Sequence, residues 1–194
     1  MVKKIIFLLS WVGGGLCFAS VGFAATYKVE LLVFTQTMPN TEVFTQTTSQ
    51  LKWPEHWLEI ATPAVANQNS VLVQPLTGLN QAYSVLAHHP NYSLLLQTAW
   101  LQAIDFNQPG PIIHFTSPTN TLNGFISIKG GSALDLQVDA EYTHATDAAR
   151  FYGKTEQRNL VYRLNEQRAV QINEIQYFDH PAFGIITLIT PVTP

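Results

Sequence analysis

The sequence predicts an α+β domain that combines a mostly antiparallel β-sheet with one main helix at about residues 79–89. The first observation is a period-2 alternation of apolar and polar residues that recurs along the chain. The second is that helical periodicity stands out in one segment, near 79–89. The third is a polar stretch at about 37–78 that follows neither period, so we expect a long irregular insertion there.

The N-terminus has the pattern of a secretory signal peptide. Lys3 and Lys4 precede a short apolar run at 5–18, and Gly22 and Ala24 supply small residues for a signal peptidase site. The run is interrupted by glycines and is shorter than the roughly 20 apolar residues that span a bilayer. We therefore expect a cleavable signal peptide at 1–24, a single periplasmic domain at 25–194 and no stable membrane span after cleavage.

Cysteine and charge narrow the possible functions. The only cysteine, Cys17, lies in the leader, where Leu16 before it is unsuited to lipoprotein cleavage, so the mature chain would have no disulfide and no thiolate chemistry. Loss of Lys3 and Lys4 changes the formal charge from −3 to −5, because basic residues fall to 8 against 13 acids. This mild acidity argues against nucleic acid or an anionic membrane as partner.

The first predicted strand begins the mature chain. Tyr27, Val29, Leu31 and Val33 share one face, with Lys28 and Glu30 opposite. Because residues 31–34 are all apolar, neither face of this strand is suited to contact solvent there. We therefore expect the strand to be central in the sheet.

The insertion and the helix follow. Residues 37–78 are rich in Thr, Gln, Asn and Pro, and we expect one short helix near Pro54–Glu59 within them. In the main helix, Leu79, Tyr83 and Leu86 recur at about the helical period. Asn80 is the predicted N-cap, and Pro90 closes the segment.

Most later strands are read from alternation. Residues 134–142 alternate almost perfectly, and 122–128 form a partner strand across a hairpin at 129–132 that contains two glycines. A second polar loop is expected at 143–158. Shorter strand candidates are 94–102, 112–115, 159–164, 170–178 and 184–190.

The C-terminal segment predicts a strand, a corner and a second strand. Asp179, His180 and Pro181 separate two β-prone runs, and Gly184 follows closely. We expect Asp179 to accept hydrogen bonds from nearby backbone amides, while Pro181 fixes φ at the corner.

Several of these blocks together resemble the CsiV-type peptidoglycan-binding proteins, a family of small exported bacterial envelope proteins. The blocks are the C-terminal segment 171–191, the first strand 27–36, the Trp100-x-Gln102 strand, Leu122-x-Gly124 and the segment 162–168. The resemblance implies a non-catalytic adaptor that binds peptidoglycan and holds it near cell-wall synthases or their activators.

Catalytic and metal sites are poorly supported by the residues. Asp179 and His180 are adjacent in a strand and so point to opposite faces, which suits no triad. Asp135, Asp139 and Glu141 share a strand face and could match the carboxylate spacing of glycan hydrolases, but a solvated strand face has the same pattern. The histidines are scattered without metal-ligand spacing. We therefore expect no enzyme activity, no metal and no cofactor.

Aromatic and basic residues are the candidates for ligand binding. Trp53, Trp57 and Trp100 could stack on sugar rings, although Trp100 lies in an apolar strand and core packing is its alternative. Arg163 and Arg168 could hold a carboxylate of the peptide stem, or instead pair with Glu166 or Glu174. His180 is a further candidate contact.

Two classes of function remain open. The first is a non-catalytic periplasmic protein that binds peptidoglycan and assists cell-wall assembly. The second is an envelope protein-interaction module that docks a partner through an exposed strand edge or the Trp53–Trp57 loop, without binding glycan. A wall hydrolase is a third reading, which would require a catalytic acid such as Asp139.

Overall fold

A computed structural model describes residues 25–37, 45–106, 108–145, 149–151, 154–156 and 159–192. The predicted signal peptide and Cys17 lie outside the described residues, so cleavage after Ala24 stays a prediction. In chain order the elements are β1 (Ala25–Gln36), β2 (Leu58–Ala61), β3 (Ser70–Leu72), α1 (Asn80–His88), β4 (Tyr92–Ile104), β5 (Ile113–Thr116), β6 (Leu122–Lys129), β7 (Leu134–Ala145), β8 (Ala149–Phe151), β9 (Lys154–Glu156), β10 (Asn159–Val170), β11 (Ile175–His180) and β12 (Phe183–Pro191).

Two sheets carry the fold. The first has four antiparallel strands in the order β11-β12-β1-β4. The second has six strands in the order β10-β7-β6-β5-β2-β3, antiparallel except that β2 runs parallel to both β3 and β5. As the apolar run at 31–34 predicts, β1 is central, with every residue from Val29 to Phe34 buried.

The main core lies between the two sheets. Alternate residues of β1, β4, β6 and β7 face it, including Leu31, Trp100, Ile126 and Leu136. A second apolar cluster lies on the other face of the four-stranded sheet. Leu79, directly before α1, and Leu86, within it, pack there on Leu32 and Phe34 of β1 and on Leu188 of β12. The result is helix, sheet and sheet in three layers, which confirms the α+β class. Within the described part of the chain, no helix combines the length and apolar character needed to cross a bilayer.

The helix starts differently from the prediction. Leu79, not Asn80, occupies the N-cap position, and no side chain of the helix caps it. The buried carboxylate of Glu30 accepts hydrogen bonds from the backbone N–H groups of Thr77, Gly78 and Leu79, each at 3.0 Å. Glu30 of β1 therefore fixes the segment that leads into the helix, a contact that no local sequence pattern reveals. Burial alone would raise the pKa of Glu30, but these hydrogen bonds lower it to about 2.

Three local predictions were wrong. The short helix near Pro54–Glu59 is absent, because β2 begins at Leu58 and pairs with β5. Residues 170–178 are two strands, since Asn173 adopts a positive φ of 63° between β10 and β11. The loop expected at 143–158 contains the end of β7 and the β8–β9 pair. In the first and third cases, pairing with another strand overrides the polar composition of the segment.

The corner between β11 and β12 is built by His180 instead of Asp179. Pro181 and Ala182 form the turn, and Nδ1 of His180 accepts the backbone N–H of Ala182 at 3.1 Å. Asp179 accepts the hydroxyl of Tyr177 at 2.6 Å, because residues two apart in a strand share a face. The expectation that Asp179 bonds backbone amides was therefore wrong. Burial and this hydrogen bond raise the pKa of Tyr177.

Candidate functional site: an aromatic cluster between two clefts

The outer face of the six-stranded sheet carries a row of polar and aromatic side chains. Strand register places them side by side across β2, β5, β6, β7 and β10, in the order Glu59, His114, Phe125, Asp139 and Asn165. Their neighbours in sequence, such as Ile113 and Val138, point inward to the core. Period-2 alternation therefore directs this row away from the core.

The segment 45–57 lies over this outer face. At one end, the carbonyl of Gln46 accepts the backbone N–H of Val161 on the edge strand β10 at 2.8 Å. The buried carboxylate of Glu141 accepts the backbone N–H of Gln50 at 2.7 Å. The segment then passes Trp53 and Trp57 before it enters β2. Anchoring at both ends places the two tryptophans over the sheet.

Four rings form an aromatic cluster, which consists of Trp53, Trp57, His114 and Phe125. The ring centroid of Trp53 lies 5.3 Å from that of Trp57, 5.0 Å from that of His114 and 5.1 Å from that of Phe125. His114 and Phe125 are buried, whereas Trp53 is 55% exposed. The lower rings support Trp53 from the sheet and leave much of its indole surface available for stacking.

Glu59 fixes the orientation of two members of the cluster. Its carboxylate accepts the indole N–H of Trp57 at 2.8 Å and contacts Nδ1 of His114 at 2.8 Å. Because a carboxylate only accepts, Nδ1 of His114 carries the proton. Nε2 of His114 is buried and has no hydrogen-bond partner in the described part of the chain. Glu59 therefore acts as a positioning residue for the rings under and beside Trp53.

Two open clefts flank the cluster and share Ile112. The first cleft has a volume of about 600 Å³ and is lined by Trp57, Glu59, Asn67, Asn69 and others. The second cleft has a volume of about 540 Å³ and is lined by residues that include Trp53, Phe125, Ser127, Gln137, Arg163 and Asn165. Both volumes fall within the range of about 300–1,000 Å³ that is usual for small-ligand sites.

Arg163 lies in the second cleft, bound to a carboxylate. Its Nε and Nη2 donate to the two carboxylate oxygens of Asp139 at 2.9 and 2.8 Å. This hydrogen bonding raises the pKa of Arg163. The partner is an aspartate on the neighbouring strand β7, not the Glu166 or Glu174 that the sequence suggested.

The remaining candidate residues lie elsewhere. Trp100 is fully buried and donates its indole N–H to Gln102 at 3.0 Å, which corresponds to the core-packing alternative. Arg168 pairs with Glu166 and stacks on Phe178, 4.1 Å from its ring centroid. His180 packs on the rings of Phe183 and Tyr162, with centroids 5.2 and 5.7 Å away. None of these three lines either cleft, and Asp179, Pro181 and Gly184 belong to the β11–β12 hairpin.

Sequence reasoning missed several members of the site, among them Phe125, Glu59 and the polar residues Ser127, Gln137 and Asn165. Phe125 gives a usable signal, because it is an aromatic residue out of phase with the apolar face formed by 122, 126 and 128. An aromatic ring on the polar face of a strand indicates either a covering segment or a ligand surface.

The contacts of the acidic residues do not favour a catalytic or metal-binding role. The three acids of β7 each hold a partner: Asp135 accepts from Gln167, Asp139 from Arg163 and Glu141 from Gln50. Glu141 is buried under the segment 45–57, so it is not on a solvated face as expected. Among the described residues there is no group of three or more His, Cys, Asp or Glu side chains able to hold a metal ion.

An aromatic cluster between two clefts, on the face of a sheet, has the features of a ligand-binding surface. Comparison with protein families agrees with this class. The chain belongs to the CsiV family, described as peptidoglycan-binding protein, whose family model matches residues 4–192 and so nearly the whole chain. This confirms the resemblance found in the sequence. Searches of curated proteins and of solved structures found no match.

Proposed function

We propose that this protein is a non-catalytic, periplasmic peptidoglycan-binding protein that uses the aromatic cluster and its two clefts as the binding site. The family description supports the ligand. The observation that carries the location is Trp53, which is 55% exposed while held on buried rings between the clefts. A flat, supported ring is suited to stacking on the apolar face of a sugar.

A binding role without chemistry fits the polar groups near the cluster. Glycan hydrolases need one carboxylic acid with a raised pKa and a second carboxylate across the substrate. Asp139 instead lies in a two-pronged ion pair with Arg163, and Glu141 is buried beneath the segment 45–57. Both carboxylates are therefore engaged by groups of the protein itself.

In this proposal the protein assists cell-wall assembly by holding wall polymer near its synthases or their activators. The predicted signal peptide supports a periplasmic location. Export and partner are independent of the binding site, so they need their own tests: processing at Ala24 in secreted material, and crosslinking in intact envelopes.

The second candidate function is an envelope protein-interaction module. The observation that favours it is the edge strand β11, whose Ile175 and Tyr177 are 57% and 43% exposed. Exposed apolar side chains on an edge strand can contact a partner protein. Crosslinking to one envelope protein, with no change of tryptophan fluorescence on adding muropeptides, would favour this function over peptidoglycan binding.

The direct experiment is sedimentation of the chain beginning at Ala25 with purified sacculi. We expect the protein to sediment and Trp53→Ala to weaken binding by about tenfold, equivalent to about 1.4 kcal/mol. Phe106→Ala is the matched control, since Phe106 is 64% exposed but lines neither cleft. A wild-type protein that stays in the supernatant contradicts the function. Unchanged binding by Trp53→Ala contradicts the site.

A further inference from the structure

We infer that the two clefts recognise the glycan strand of the wall, as an uncharged chain of pyranose rings, and not the peptide stem. This inference rests on the proposed function and specifies its ligand. Three features of the clefts carry it: their charge balance, the state of their cations and the character of their unpaired polar groups.

The charge balance disfavours an anionic ligand. The residues lining the two clefts include three carboxylates and two cations, namely Glu55, Glu59 and Asp139 against Lys52 and Arg163. A peptide stem carries free carboxylates, and it would meet a surface that is slightly negative. Like charges at an interface oppose association, whereas a neutral sugar chain is unaffected by them.

The cations of the clefts offer little to a stem carboxylate. Two donor nitrogens of Arg163 are already bound to Asp139, at 2.9 and 2.8 Å, in the geometry that a ligand carboxylate would need. Lys52 is exposed at the rim of the second cleft. Ion pairs formed by exposed lysines contribute little to affinity.

Neutral polar groups in the clefts are unoccupied and available. In the described part of the chain, the side chains of Ser127, Gln137 and Asn165 make no hydrogen bond, although all three line the second cleft beside Trp53. Amide and hydroxyl groups both donate and accept, as do the hydroxyl and acetamido groups of wall sugars. An exposed ring bordered by such groups matches a sugar with an apolar face and a polar rim.

The arrangement also suits a chain of sugars. The clefts lie beside the aromatic cluster and share the lining residue Ile112, so we expect a linear ligand to reach both while it crosses Trp53 and Trp57. Successive rings would then stack at the cluster and extend hydrogen bonds into each cleft.

The test compares two soluble probes on the chain beginning at Ala25, with sacculus binding measured in parallel. The probes are a hexamer of β-1,4-linked N-acetylglucosamine, which is neutral, and a free stem peptide, which is anionic. We expect the hexamer to change tryptophan fluorescence and to displace the protein from sacculi, with a dissociation constant that changes less than about twofold between 50 and 500 mM salt. We expect no response to the stem peptide.

Two variants locate the interaction. Asn165→Leu and Gln137→Leu should each weaken hexamer binding by about fivefold to tenfold. Gln167→Leu is the matched control, because Gln167 lies on the same strand face but is bound to Asp135 and lines neither cleft. Circular dichroism and urea unfolding show whether each variant is folded. If a folded Asn165→Leu and a folded Gln137→Leu both bind like wild type, the assignment to these clefts is wrong.

The possible outcomes separate the two proposals. Binding to sacculi together with a response to the stem peptide and none to the hexamer overturns the glycan inference and leaves the proposed function intact. Binding to sacculi with no response to either probe also overturns the inference. Failure to bind sacculi overturns the proposed function itself.

Discussion

At the residue scale, Gly184 shows how closely the two C-terminal strands pack on β1. It lies within β12, opposite Phe34 and Asp179, and not in the turn itself. A Cβ atom on Gly184 would lie 2.6 Å from Cζ of Phe34 and 2.9 Å from Cε2 of Tyr177, closer than carbon atoms approach. Phe34 and Tyr177 stack at a centroid distance of 6.2 Å, so glycine makes room for an aromatic pair.

Gly184→Ala should therefore destabilise the protein by about 1–3 kcal/mol through overpacking. Urea unfolding at pH 7 measures the change. Adding Phe34→Leu should make the cost of Gly184→Ala smaller, because it removes the ring that the methyl group strikes. A single-variant loss below about 0.5 kcal/mol would show that the rings move aside freely.

Residues two apart in a strand explain the Trp100-x-Gln102 motif. Both side chains point into the core, so the indole N–H of Trp100 reaches Oε1 of Gln102 at 3.0 Å. A buried indole needs such a partner, and the spacing provides it within one strand. The motif is explained by packing, without a ligand.

At the element scale, the attachment of α1 to the sheet depends on one buried carboxylate. The carboxylate of Glu30 accepts the backbone N–H groups of residues 77, 78 and 79 at 3.0 Å and the hydroxyl of Thr77 at 2.7 Å. Nζ of Lys28 lies 3.2 Å from the same carboxylate. These donors favour the ionised form and outweigh the cost of burial. Because the folded pKa of about 2 lies below the ordinary value of 4.5, the ionised form of Glu30 stabilises the fold fully above pH 4.5.

Glu30→Gln should lower the free energy of unfolding at pH 7 by about 3 kcal/mol, the value that corresponds to this pKa difference. The gap between wild type and variant should shrink as the pH falls from about 4.5 towards 2, since Glu30 is then protonated in wild type as well. Urea unfolding at pH 7, 4 and 3 measures it. Glu55→Gln is the control, because the side chain of Glu55 is 91% exposed. A gap that does not depend on pH would contradict the role of the charge.

At the scale of the whole molecule, Arg168 links the two sheets where their edge strands β10 and β11 meet. It is held by Glu166 on its own strand, donates to the carbonyl of Tyr177 at 3.1 Å and stacks on Phe178. The opposite face of β10 carries Arg163 and Asn165 in the second cleft. One strand thus closes the sandwich on one side and lines the proposed site on the other.

Arg168→Lys should lower stability by about 1–2 kcal/mol, because lysine keeps the charge but loses the planar stacking and the forked donors. Sacculus binding by the folded variant should remain within about twofold of wild type. Urea unfolding and sedimentation measure the two effects. A large loss of binding with stability unchanged would instead make Arg168 a ligand contact.

Patterns in the sequence predicted more of the fold than of the candidate site. The apolar run at 31–34 correctly predicted that β1 is central. Local alternation correctly predicted the β6–β7 hairpin and the inward faces of β7, since period 2 is set within each strand. It did not predict that Trp53 meets Phe125, which lies 72 positions later, or that Arg163 pairs with Asp139. Those contacts depend on which strands are neighbours.

The sequence by itself determined the class of the domain, its strand faces and its family. Only the tertiary structure decided that the segment 45–57 covers the outer face of the six-stranded sheet and that Glu30 anchors the helix. The physical reason is that alternation is a property of consecutive residues. Strand order, the covering segment and the clefts arise from pairings between residues far apart in the chain, which no local period encodes.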